Sequence, residues 1–319
     1  MENTFTQYVN NKIKEQFSKY ENSVIYGQNI VAGSRVSGLG SQLEEISGVT
    51  AINSTNTENS LMGLGLGLAI SGVPSLFLMK QHDFALLGID QLTNTTNVLR
   101  NGRFLSPFII LMVIVDSGYE GPQASLSSLD EFASLTRAPV HFLSTKETIN
   151  LAFRNAESPG LHLMALSQKN MKKTVSSSLT KIEEFEEGIL YGEKADQYKV
   201  SGILIVFFGV EISLIENVID KVQFLGISVD TIIMSKLSKL GKESNLFRKM
   251  LGYKGIIIID TGKSEIHFSS ELAWLLKITG KNVYKFQRES SEIWAEVSAD
   301  ELEFGVDELV HLIEKELLI

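Results

Sequence analysis

Cysteine is absent from all 319 residues. Disulfides, thiolate metal sites and cysteine nucleophiles are therefore excluded, and a reducing compartment fits. Long apolar runs are missing too. The strongest, Phe108 to Val115 and Gly202 to Val210, fall well short of the roughly 20 residues that cross a bilayer. They suit strands buried on both faces of a parallel sheet. Positive charge is in deficit: 29 Lys and Arg stand against 38 Asp and Glu, for a net charge of −9. No basic stripe is present, and readers of the phosphate backbone draw their affinity largely from Lys and Arg. The first residues, Met1-Glu2-Asn3-Thr4-Phe5, are polar and lack the apolar core of a signal peptide. These features predict a cytoplasmic protein with neither nucleic acid nor membrane as partner.

Several chemistry-bearing motifs are also wanting. Gly63-Leu64-Gly65-Leu66-Gly67 lacks the G-x-G-x-x-G spacing and downstream acid of a dinucleotide loop. Gly262-Lys263-Ser264 ends like a phosphate loop, but Ile257 stands where the first glycine is needed. No G-x-S-x-G nucleophile elbow occurs. The five histidines, His82, His141, His162, His267 and His311, show no metal-ligand spacing and are expected on the surface or in strands.

What remains is a chain of 44% hydrophobic and 21% charged residues, typical of a folded protein and long enough for two domains. Asn10 to Tyr20 reads as an amphipathic helix. Strands are expected at Val24 to Gly27, Val49 to Ile52, Pro74 to Met79, Phe108 to Val115 and Val140 to Leu143. A glycine-rich loop (Gly33 to Gly40) and helices at Asp90 to Arg100 and Leu126 to Leu135 lie between them, with a loop at Gly118 to Pro122. From Gln168 to Lys199 a basic run, serines and an acidic run predict a linker. Alternation then resumes: strands at Ile203 to Phe208, Ser228 to Ile233, Gly255 to Ile259 and Asn282 to Phe286, helices at Leu214 to Leu225, Ser269 to Leu276 and Val306 to Leu317. Alternating strands and helices make the class α/β. The expected division is 1–190, with the linker at about 168–199, and 200–319.

One feature invites chemistry. Glu58 opens an apolar, glycine-studded segment that runs from Asn59 to Gly72 with no further acid or base. A lone carboxylate in such surroundings binds something, pairs with something or takes up a proton. It is also favourably placed at a helix start. Gly63 and Gly67 fall on one helical face, where they cost helix propensity and are expected to admit a neighbouring backbone or a ligand.

Four pieces occur in order: Ile25-Tyr26-Gly27-Gln28, Thr57-Glu58 with the glycines through Gly72, Phe84 with Ile89-Asp90-Gln91, and Gly121-Pro122-Gln123. This order resembles the beta subunits of the first component of pyruvate and branched-chain 2-oxo acid dehydrogenases, in the transketolase-like, thiamine-diphosphate-dependent superfamily. The resemblance covers most of residues 5–165. Weaker likeness, on Gly209, Gly226 and Asp260, extends to the second domain. It implies two three-layer α/β domains, a pyrimidine-binding type followed by a transketolase C-terminal type. It implies that Glu58 hydrogen-bonds a ring nitrogen of the cofactor's aminopyrimidine and that Phe84 stacks on that ring. Met79 and Gln28 would line the same pocket. His82, expected to face solvent, offers a tentative second catalytic group should it approach the cofactor instead.

The family's Gly-Asp-Gly signature for diphosphate and Mg2+ is absent. The resemblance therefore implies an alpha-type partner that carries that half, and a beta dimer within an alpha2beta2 assembly. Two departures stand out. Gln123-Ala124-Ser125 replaces the family's Gln-His-Ser, and Gly27-Gln28 replaces Gly-Glu. They favour a specialised carboligase or transferase acting on a 2-oxo acid or sugar over a central dehydrogenase. The alternatives are the C-terminal half of a split transketolase, with Arg100 and Arg103 as candidate phosphate contacts, and a catalytically degenerate assembly subunit.

Overall fold

The computed structural model describes residues 3–99, 103–116, 128–138, 140–175, 178–192, 202–264 and 266–287, with 305, 309 and 311. The loop expected at 118–122, Gln123-Ala124-Ser125 and Arg100 lie outside the described residues, as does nearly all of the helix expected at 306–317.

The first half runs α1 (Phe5–Phe17), β1 (Ser23–Gly27), β2 (Val49–Asn53), α2 (Glu58–Ile70), β3 (Ser75–Met79), α3 (Thr96–Leu99), β4 (Pro107–Ile114), α4 (Leu129–Thr136), β5 (Val140–Phe142), α5 (Lys146–Asn155) and β6 (Gly160–Ser167). The second runs β7 (Lys181–Glu184), β8 (Gly188–Tyr191), β9 (Ile203–Phe208), α6 (Ile212–Phe224), β10 (Asp230–Met234), β11 (Lys236–Leu237), α7 (Asn245–Met250), β12 (Gly255–Asp260), α8 (Phe268–Ile278) and β13 (Asn282–Gln287). Two sheets result, ordered β11-β5-β6-β4-β3-β1-β2 and β13-β12-β9-β10-β8-β7. The first is parallel except for β11, and the second except for the β7–β8 hairpin. The α/β class and the two-sheet layout follow the sequence.

Strand β4 shows why. Every residue of PFIILMVI is buried. Phe108, Ile110, Met112 and Ile114 face one hydrophobic cluster, and Ile109, Leu111 and Val113 face another. The period of two on a strand covered on both sides needs apolar residues throughout. The first of these clusters continues into the second half through Leu204, Val206, Ile232 and Ile258, so the two sheets share one core.

Several elements differ from expectation for local reasons. Helix α1 starts at Phe5 because Thr4 and Gln7 form a capping box: the Gln7 N–H donates to Thr4 Oγ1 (3.2 Å) and the Thr4 N–H to Gln7 Oε1 (2.9 Å). A similar reciprocal cap at Thr145 and Thr148 starts α5, which periodicity did not signal. Residues 181–191, inside the expected linker, form the hairpin that edges the second sheet. Strand β11 crosses back: Lys236 and Leu237 pair with His141 and Val140 of the first sheet. Where one helix was expected from Asp90, residues Gln91–Thr95 make a π-helical turn and only Thr96–Leu99 is α-helical. The Thr93 hydroxyl donates to the Ile89 carbonyl (2.8 Å) and the Thr96 hydroxyl to that of Gln91 (3.4 Å), and such threonine back-bonding competes with regular helix.

The glycine expectation for α2 needs correction. A Cβ on Gly67 would meet nothing within 4 Å, and one on Gly63 only the side chain of Gln91. The tight position is Gly65, where a Cβ would lie 2.2 Å from the Phe108 ring and 2.5 Å from the Tyr26 hydroxyl. The Tyr26 hydroxyl donates to the Leu61 carbonyl at 2.8 Å, and the Tyr26 ring stacks on Phe77 at 5.1 Å. Gly72, with φ +79°, closes the helix, and Val73 N–H donates to the Leu68 carbonyl, as helix-ending glycines do.

The expectation of surface or strand histidines holds for His141 in β5, His162 in β6 and exposed His311, and fails for His82 and His267, which are buried outside strands. His82, His141, His162 and His267 are all buried. Burial pushes His82 down to about 4. His141 falls to about 3, through burial and then the neighbouring His162 and Lys236.

Two predictions follow from these positions. Gly65→Ala should lower stability by about 1–3 kcal/mol through overpacking, whereas Gly67→Ala should raise that of the isolated chain by up to ~1 kcal/mol through helix propensity. Denaturant midpoints measure both. For His82 and His141 the folded state holds the neutral form, so the unfolded chain binds more protons between the two pKa values. Stability is full above about pH 6.5, the ordinary histidine value, and falls as pH drops towards 4, by at most about 1.4 kcal/mol per pH unit for each histidine. His141→Phe should flatten that slope in denaturant titrations between pH 7 and 4.

Candidate cofactor-binding site

Strands β1, β2 and β3 are parallel neighbours, so their carboxyl ends open on one edge of the sheet, where ligands bind in open parallel sheets. Each end leads directly into a candidate residue. Strand β1 ends at Gly27 and delivers Gln28. Strand β2 ends at Asn53 and leads to Glu58. Strand β3 ends at Met79 and leads to His82 and Phe84.

The backbone here is closely fitted. A Cβ on Gly27 would lie 2.2 Å from the Leu78 carbonyl oxygen, so β1 and β3 come together at Gly27 only without a side chain. Asn53 Oδ1 accepts from the backbone N–H groups of Ile30 (2.8 Å) and Val31 (3.0 Å). The loop after Gln28 is thereby tied to the end of β2.

Glu58 is the first residue of α2 and is only 6% exposed. Gln28 Nε2 donates to Glu58 Oε1 at 3.2 Å. These two residues, 30 apart in sequence, are therefore brought into contact. Thr57 provides no side-chain cap, and the Glu58 carboxylate sits where the exposed N–H groups of the first turn favour negative charge. Met79 is buried, and half-buried Phe84 packs against the same core that contains Met79, Met62 and Phe132.

The Asp90-Gln91 pair lies against this helix. The Gln91 side chain fills the space beside Gly63, and Met62 Sδ would be 2.3 Å from a Cβ on Gly88. The missing Cβ of Gly88 thus lets residues 88–91 approach Met62 of α2. Gln91 Oε1 accepts from the Thr95 hydroxyl (2.9 Å), and Asp90 Oδ1 from Asn94 Nδ2 (2.6 Å).

His82 does not face solvent. Its ring lies edge-on to Phe132 at 4.9 Å, it is fully buried, and neither ring nitrogen has a hydrogen-bond partner. Neutral at physiological pH, it carries no acidic proton beyond its one N–H. Arg103 is exposed.

The donor set fits one half of thiamine diphosphate. A buried carboxylate with an amide beside it can accept from or share a proton with a ring nitrogen, and a half-buried aromatic can cover a flat heterocycle. Nothing comparable fits the other half. The sequence has no Gly-Asp-Gly, and among the described residues the one three-membered group of metal-ligating side chains, Asp130, Asp260 and His267, does not include Glu58 or its neighbours. That group was invisible in the sequence, because its members are up to 137 residues apart (267 − 130) and share no spacing signal.

No protein-family model and no curated protein matches the chain. Among solved structures, one described as "split gene transketolase, inactive beta4 tetramer" aligns with a TM-score of 0.64 at 13% identity, over 100% of this chain and 99% of its own. The described residues therefore share the fold of a split transketolase beta chain.

Proposed function

We propose that this protein is the beta-type subunit of a two-chain thiamine-diphosphate-dependent enzyme that cleaves a C–C bond of a 2-oxo acid or ketose and transfers the resulting acyl or aldehyde unit. The observation that carries this reading is Glu58, a buried carboxylate at the carboxyl edge of β1, β2 and β3 with Gln28 donating to it. The cofactor, when bound, supplies the carbanion chemistry. This chain's residues do three things. Glu58 would hold the aminopyrimidine through a hydrogen bond and could share a proton with it. Gln28 fixes the rotamer of Glu58. Phe84 and Met79, which share one apolar cluster, would wall the ring's side of the site. His82, neutral, fully buried and packed edge-on against Phe132, is not assigned a catalytic role.

The absence of Gly-Asp-Gly supports a separate alpha-type subunit for the diphosphate and Mg2+. Self-association is supported by exposed apolar residues. Ile52, Leu64, Leu86, Leu87, Val98 and Leu105 are 44–70% exposed and all come from the short stretch 52–105, around α2 and the segments that pack on it. Other exposed large apolar residues, Phe224, Ile266 and Trp274 among them, lie elsewhere; the face around α2 is the one proposed to meet a second copy of this chain. A split transketolase is favoured over a dehydrogenase by the structural neighbour, which carries that description. That neighbour is an inactive tetramer, and an assembly role is the competing reading.

Glu58→Gln separates them. A catalytic subunit predicts a turnover loss of about 10²–10⁴-fold in the reconstituted complex, with circular dichroism and assembly unchanged. An unaltered rate, or no activity with any alpha-type chain that binds, contradicts the proposal. For the surface, Leu87→Glu should reduce the mass measured by light scattering to that of a smaller species, and no change would reject this face as the contact.

A further inference from the structure

Asp130, on α4 of the first half, meets Asp260, at the end of β12, and His267, immediately before α8, both of the second half. Their side chains are 9%, 4% and 4% exposed. His267 Nδ1 lies 3.1 Å from Asp260 Oδ2 and 3.4 Å from Asp130 Oδ2, yet it makes no aligned hydrogen bond with either. All three donor atoms lie within 4.8 Å of one another.

Two carboxylates aimed at one buried imidazole nitrogen need a positive charge between them. Without a metal, a proton can supply it. Burial by itself lowers the His267 pKa, but Asp130 and Asp260 outweigh that and raise it to about 9. The spacing suits a larger cation equally well. Around a tetrahedral ion with bonds of about 2.0–2.2 Å, adjacent ligand atoms lie roughly 3.3–3.6 Å apart; the Nδ1 distance to Asp130 falls in that range and the one to Asp260 just below it. A cavity of about 10 Å3 adjoins the group, lined by Leu129, Asp130, Phe208, Leu237, Asp260 and Ser264. It can hold about one water, the fourth ligand such a set requires.

The surroundings hold the ligands in place. Asp260 accepts from the Ser269 hydroxyl (2.5 Å) and from the Gly262 N–H (2.9 Å). A Cβ on Gly262 would sit 3.1 Å from Asp260 Oδ1 and 3.3 Å from the His267 ring, so the turn closes tightly on the pair. Ser264 donates to Glu131, next to Asp130. Lys285 is the nearby cation, with Nζ donating to the Ser270 hydroxyl at 2.7 Å.

We propose that Asp130, Asp260 and His267 form a site for a first-row divalent cation of zinc type, which clamps the two halves of the chain together. One imidazole and two carboxylates suit such an ion better than Mg2+ or Ca2+, which favour all-oxygen sets. The proposal is independent of the thiamine reading.

The test uses the full chain, stripped with a chelator and titrated with Zn2+ against a chromophoric competitor at pH 7.5, with thermal melts alongside. The expected result is one Zn2+ per chain, a higher Tm with Zn2+, and uptake of Zn2+ that releases protons. Asp130→Asn and His267→Gln should each weaken Zn2+ at least tenfold and remove the Tm gain. Glu58→Gln should leave both intact. Should either variant fail to fold, the Co2+-loaded wild type decides by the intense visible absorption of a four-coordinate site. No stoichiometric Zn2+, equal Zn2+ affinity in the folded variants, or Co2+ absorption of a six-coordinate aqueous type would overturn the proposal.

Discussion

The contact at Gly65 governs the first half of the molecule. There the helix that begins with Glu58 lies so close to the sheet that the Phe108 ring and the Tyr26 hydroxyl occupy the space of a side chain. Tyr26 adds a hydrogen bond to the Leu61 carbonyl, one turn from Glu58. The close approach fixes both the depth and the rotation of α2. Because α2 starts just beyond the carboxyl end of β2, fixing the helix also fixes the carboxylate. Apolar burial drives the packing, while the missing Cβ decides where the helix stops.

The two halves are joined by more than a shared core. Strand β11, from the second half, extends the first sheet. The Ser144 hydroxyl donates to the Val210 carbonyl, Asn170 Oδ1 accepts from the Ile212 N–H, and the Thr145 and Tyr191 hydroxyls meet at 2.7 Å. The Asp130–His267–Asp260 group lies on the same junction. Polar groups buried at such a seam are costly unless each finds a partner. Buried polar contacts of this kind fix how the halves dock more narrowly than apolar packing would.

Much of this was legible in the sequence. Strands β4, β9 and β12 could be placed because parallel strands covered on both faces carry an unbroken apolar run, Ile256 to Ile259 in β12. Glu58 stood out because a lone carboxylate before an apolar helix is rare enough to need a reason. Other features were hidden for physical reasons. Strand β11 has two residues, too few for any period. The caps of α1 and α5 rest on Thr4 and Thr145, whose roles depend on the residue three positions on. The choice of Gly65 over Gly63 and Gly67 depends on which face of an almost wholly apolar helix meets the sheet, and no hydrophobic pattern marks it. The burial of His82 and His267 was missed because tertiary packing, not local sequence, takes them out of water.

Glu58 and its neighbours are proposed as one half of a cofactor site completed by another chain. Calorimetry of thiamine diphosphate with Mg2+, for this chain alone and mixed with an alpha-type chain that carries Gly-Asp-Gly, tests it most directly. The account predicts tight binding in the mixture and little or none to this chain alone. Absence of binding in a mixture that still assembles would contradict it and leave the protein as a structural subunit.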